Sequence, residues 1–91
     1  MRASAYEKCK KILLFLKNKE EWSWIRQIAK NTGIKPYNVS YLIDRYLWRY
    51  LDVVDTSDVY SEYGLKVKLV RLKPGINVEN VLKALREKVL T

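Results

Sequence analysis

The sequence predicts an α+β fold, and three observations carry that expectation. Apolar residues recur at helical spacing through residues 4–17 and again through 24–50. Residues 51–55 and 65–73 are rich in branched apolar side chains, as strands are, and a further helical period follows residue 77. With 48% hydrophobic and 12% aromatic residues, the 91-residue chain suffices for one folded domain, residues 1–91, with a modest core.

The first helix is expected from Ser4 to Lys17, where Tyr6, Cys9, Ile12, Leu13 and Leu16 form one apolar stripe. Asn18 to Glu21 is a polar break. Glu21 and Trp22 are expected to form a short strand, with Ser23 capping a second helix from about Trp24 to Asn31. The segment Thr32-Gly33-Ile34-Lys35 is a turn, and Pro36 suits the first position of a third helix because its missing N–H costs nothing there. That helix is expected over residues 36–50. On a helical wheel Val39, Leu42, Ile43, Tyr46 and Tyr50 gather on the core side, and Tyr37, Ser40, Tyr41, Asp44 and Trp48 lie opposite, with Asn38, Arg45 and Arg49 along one flank.

The spacing of Ala29, Gly33, Ile34, Val39 and Leu42 is that of a helix-turn-helix. Two short helices that cross steeply need a small side chain where they approach, a glycine to reverse the chain and apolar residues to fill the wedge. The second helix of such a motif is the element that fits a DNA major groove. The outer side chains of residues 36–50 have suitable chemistry: hydroxyl, amide and guanidinium groups bond base edges or phosphate oxygens, and a tyrosine ring can touch a thymine methyl. Lys35, Tyr37, Asn38, Ser40, Tyr41, Arg45 and Arg49 are therefore the candidate DNA contacts, against the alternative that the tyrosines simply cover surface. Asp44 has three open roles: accepting from a cytosine amino group, pairing with Arg45 or Lys35, or repelling phosphate at wrong sequences.

Leu51 to Asp55 reads as a strand and Leu65 to Lys73 as a longer one, joined by the polar loop Thr56 to Gly64. In this order of elements, and in the pattern of Ala29, Gly33, Ile34, Val39 and Leu42, residues 4–74 resemble the winged helix-turn-helix family. The resemblance implies a third helix in the major groove and a two-stranded wing that reaches the backbone or the minor groove. It nominates Tyr60 and Tyr63 at the wing tip and Lys66 and Lys68 on the returning strand. Asp58 and Glu62 depart from the basic tip usual in a DNA-binding wing, so Lys66 and Lys68, which share a strand face, are the stronger candidates there. The alternative for both lysines is a solvated strand face.

Pro74-Gly75 stops the chain, Asn77 caps a last helix over 77–90, and Glu79 suits its first turn. Val78, Val81, Leu82, Leu85 and Val89 form its apolar stripe, which must cover either the first helix or a second subunit. A homodimer is the favoured expectation, as with terminal helices of winged-helix regulators. Trp48 is a further interface candidate. Two-fold symmetry places two third helices roughly 34 Å apart and predicts a near-palindromic DNA site.

Charge points the same way. The net charge is +8 with a pI near 9.7, which suits a polyanionic partner. Residues 1–19 carry Arg2, Lys8, Lys10, Lys11, Lys17 and Lys19 against Glu7 alone. A solvated face of a lysine-rich, thermophilic protein is the alternative for that surplus. There is no histidine and Cys9 is the single cysteine, so neither an internal disulfide nor a usual zinc ligand set can form. Gly33, Gly64 and Gly75 are too far apart for a phosphate-cradling loop, and Asp52, Asp55 and Asp58 have no partnering base or metal motif. No enzyme activity, cofactor, metal or small-molecule ligand is expected. Without a signal segment or an apolar run of about 20 residues, the expectation is a cytoplasmic protein off the membrane. Asn38-Val39-Ser40 fits a glycosylation acceptor but falls within a helix, where chance explains it.

The short chain, its aromatic and lysine content and its lack of histidine look like small winged-helix proteins of hyperthermophilic archaea and their plasmids and viruses. The sequence-level expectation is a sequence-preferring, homodimeric transcription regulator on double-stranded DNA. The alternatives are a plasmid-partition or chromatin-like coating protein and, in a different class, a winged helix that docks on proteins without binding DNA.

Overall fold

The computed structural model describes residues 1–55 and 68–89. It is an α+β arrangement with α1 (Ala3–Lys17), β1 (Ser23–Trp24), α2 (Ile25–Thr32), α3 (Pro36–Leu42), β2 (Leu51–Asp55), β3 (Lys68–Leu72) and α4 (Val78–Arg86). The three strands form an antiparallel sheet in the order β1-β3-β2. The expected loop with Tyr60, Tyr63, Asp58 and Glu62, together with Lys66, lies outside the described residues.

Tyr6, Cys9, Ile12, Leu13 and Leu16 are the buried residues of α1, as the period predicts. Cys9 is fully enclosed, and desolvation pushes its thiol up to about 12. The stripe packs against α2, α3 and α4. Val78, Val81, Leu82 and Leu85 of α4 are buried in the same core, with Val89 packed at its edge. The Arg86 guanidinium donates to the Tyr6 hydroxyl at 3.2 and 3.3 Å, and the Met1 amino group donates to the Lys88 carbonyl oxygen at 2.9 Å. Of the two expected roles for the last apolar stripe, the fold adopts the intramolecular one. Asn77 caps α4 as expected, its Oδ1 accepting from the Asn80 N–H at 3.1 Å. The α-helix itself covers Val78–Arg86, shorter than the expected 77–90.

Between α2 and α3 the chain reverses at Gly33, whose φ of 75° is the left-handed value that glycine adopts without a steric penalty. A Cβ built there meets nothing within 4 Å, so backbone conformation, not space, selects glycine. Its N–H closes the turn on the Ala29 carbonyl at 2.9 Å, and Ile34 and Val39 fill the wedge. Pro36 opens α3.

Three expectations are corrected. The short strand is Ser23–Trp24 rather than Glu21–Trp22, and Ser23 caps nothing: α2 starts at Ile25 without a side-chain cap. Pairing decides this, because Ser23 lies opposite Val70 in the ladder and its side chain turns inward, with an Oγ that has no hydrogen-bond partner among the described residues. The α-helical part of 36–50 ends at Leu42. The rod continues, widening to i→i+5 bonding over Ile43–Leu47 and tightening to a 3₁₀ turn over Trp48–Tyr50.

That widening changes the inner face. Val39, Leu42, Ile43 and Leu47 are buried, whereas Tyr46 and Tyr50, placed in the core by a straight wheel, are half-buried. A turn of roughly 4.4 residues advances each residue by about 80–90° instead of 100°, which brings Leu47 under Ile43 and swings Tyr46 to the flank.

Candidate functional site

The rod 36–50 is anchored by its apolar face and leaves the opposite face outside. Tyr37, Tyr41 and Trp48 are 80%, 52% and 56% exposed, a large aromatic surface for one short element. Lys35, Asp44, Arg45 and Arg49 are exposed beside them, and Asn38 and Ser40 are half-buried. The guanidinium of Arg49 lies 5.4 Å from the Trp48 ring centroid and that of Arg45 lies 5.9 Å from the Tyr46 ring. Each cation is thus steadied against an aromatic face while remaining exposed.

The expected contacts do not form one set. Asn38 and Tyr41 lie along a groove with Arg2, Ser4 and Lys8 of the amino-terminal segment, which the fold brings against α3. In the sequence Arg2 and Lys8 belong to the same basic surplus as Lys10 and Lys11. Of these, Lys10 and Lys11 do not line the groove. The signal available was the surplus of positive charge over residues 1–19, but charge alone does not tell which lysine meets α3.

Lys68 is half-buried on the helix side of the sheet, where its Nζ lies 3.9 Å from Asp44 Oδ2. This corrects the reading of Asp44 as a partner for Arg45 or Lys35. Lys68 and the rod therefore meet at one surface, joined by an ion pair. The other candidate on that strand, Lys66, lies outside the described residues.

On the outer face of the sheet, Trp24, Leu69 and Val54 stand in one row by register, since Trp24 and Val54 both pair with Leu69. Beside them Arg71 lies 4.4 Å from the Trp22 ring centroid and donates to Asp52 at 3.4 Å. Among the described residues no group of three or more His, Cys, Asp or Glu side chains could hold a metal, and no helix is long and apolar enough to cross a membrane.

Comparison of the chain with models of known protein families, with curated proteins and with solved structures finds no match.

Proposed function

We propose that this chain is a winged-helix protein that binds double-stranded DNA with sequence preference, as a homodimeric transcription regulator. The carrying observation is the rod 36–50, seated by Val39, Leu42, Ile43 and Leu47 and exposing tyrosine, tryptophan and arginine side chains on its other side. Its length of about 22 Å and a helix diameter of about 10–12 Å match a major groove about 12 Å wide. The helix order, the Gly33 reversal and the antiparallel β2-β3 pair agree with a winged-helix arrangement. The +8 charge supplies the attraction to phosphate.

The dimer in this proposal cannot use the apolar stripe of α4, which α1 of the same chain covers. It must draw on apolar side chains that the fold leaves outside, of which Trp24, Trp48, Val53 and Val54 are large. The row across the sheet, in which Trp24 and Val54 are exposed, favours a second reading, a module that docks on another protein.

Salt separates the two readings. If Arg2, Lys8, Lys35, Arg45 and Arg49 each neutralise one phosphate, log K falls against log salt with a slope of about −4.5, or about 500-fold between roughly 50 and 200 mM. Weak, salt-insensitive duplex binding refutes the DNA reading. Selection from genomic fragments followed by footprinting then identifies the role: one short footprint for a regulator, a long repeated one for partition or coating.

A further inference from the structure

A groove of about 540 Å³ runs between the amino-terminal end of α1 and the rod that begins with α3. Arg2, Ser4 and Lys8 stand along one wall and Asn38, Tyr41 and Tyr46 along the other, and no carboxylate lines it. None of the Arg2, Ser4, Lys8, Asn38 and Tyr41 side chains has a hydrogen-bond or ion-pair partner among the described residues. Two cations, a hydroxyl and an amide thus line one groove, with Arg2, Ser4 and Lys8 open to solvent, beside the face proposed to enter a major groove. An anion with several acceptor oxygens satisfies them, and the anion that borders a major groove is the phosphodiester strand.

Resting on the DNA-binding reading above, we infer that this groove is a backbone clamp. Arg2 and Lys8 neutralise phosphates of the strand next to α3, and Ser4 and Asn38 donate to their oxygens. Asn38, a candidate for either base or phosphate contact from the sequence, thereby becomes a positioning residue. Tyr41 stands at the boundary, lining the groove while half its surface looks outward, and readout of bases falls to Tyr41 and Tyr37.

Fluorescence anisotropy over about 50–200 mM salt, on a selected duplex and a scrambled one, tests the clamp. Arg2→Ala and Lys8→Ala should each make the slope shallower by about 0.9 and weaken both duplexes about eightfold at roughly 100 mM salt. Asn38→Ala should weaken both duplexes equally and leave the slope unchanged. Lys83→Ala, on α4 away from the groove, should change neither quantity. Unchanged slopes in the Arg2 and Lys8 variants, alongside a salt-sensitive wild type, overturn the clamp alone. Loss confined to the selected duplex in Asn38→Ala overturns its positioning role. Competition by inorganic phosphate beyond that of chloride at equal ionic strength puts a small phosphate ligand in the groove and also overturns the assignment. A wild type that binds neither duplex removes the DNA reading and the clamp with it. Thermal melting of each variant controls for folding.

Discussion

Replacing Asp44 with asparagine keeps the side-chain shape and removes the negative charge in the middle of the exposed face of the rod. Its one ion pair among the described residues, to Lys68, is 3.9 Å long, with the two side chains 66% and 37% exposed. Such a pair contributes about 0–1 kcal/mol, so Asp44→Asn should shift the melting temperature by no more than a few degrees. The effect on a duplex is larger in comparison. A carboxylate about 9 Å from each of two phosphates, in water, is repelled by roughly 0.5 kcal/mol per phosphate. Removing it, and freeing Lys68, should tighten binding to random duplex about fivefold at low salt, with the gain fading as the screening length falls below about 10 Å. Anisotropy with a labelled random duplex at about 50 mM salt, paired with thermal melting, measures both quantities. Unchanged or weaker binding would refute the argument, because the face around Asp44 would not then be turned toward phosphate. A selected duplex that loses affinity while the random one gains assigns Asp44 to a cytosine amino group.

Tyr41→Ala should relax base preference by about 1–3 kcal/mol for each base edge that the shortened side chain no longer reaches, as read from competition between selected and random duplexes; equal weakening on both contradicts its reading role. Leu47→Ala should cost about 2–5 kcal/mol in urea unfolding, because Leu47 is fully buried, and Tyr46→Ala less; the reverse order contradicts the widened turn of the rod. Cys9 should resist thiol reagents until the protein unfolds. Its folded value, about 12, exceeds the ordinary 9.0, so the unfolded chain loses its proton first as pH rises. Stability from this group is complete below pH 9 and declines between there and about 12, at up to about 1.4 kcal/mol per pH unit, which denaturation at graded alkaline pH measures.

Much of the architecture was legible because its determinants are local. The period of Tyr6, Cys9, Ile12, Leu13 and Leu16 defines the buried face of α1, and the left-handed turn requires a residue such as Gly33. Asn77 marks the start of α4, and Leu51 to Asp55 forms the strand that its branched residues predict. The exposed face of the rod was legible too, since Tyr37, Tyr41, Arg45, Trp48 and Arg49 lie outside despite its change of pitch.

Other features had no local signal. The short strand is Ser23–Trp24 because β3 offers Val70 and Leu69 as partners, a choice made almost fifty residues away in the chain. Leu47 replaced Tyr46 in the core because α3 widens beyond Leu42, which a wheel of constant pitch cannot represent. Asp44 met Lys68 rather than a neighbour on its own helix, and Arg2 and Lys8, rather than Lys10 and Lys11, came to face Asn38 and Tyr41. By itself the sequence determined where helices and strands form and which side of each is apolar, because spacing along one chain sets those properties. Only tertiary packing decided which polar side chains share a surface, because that depends on how separate elements abut once their apolar faces are buried together.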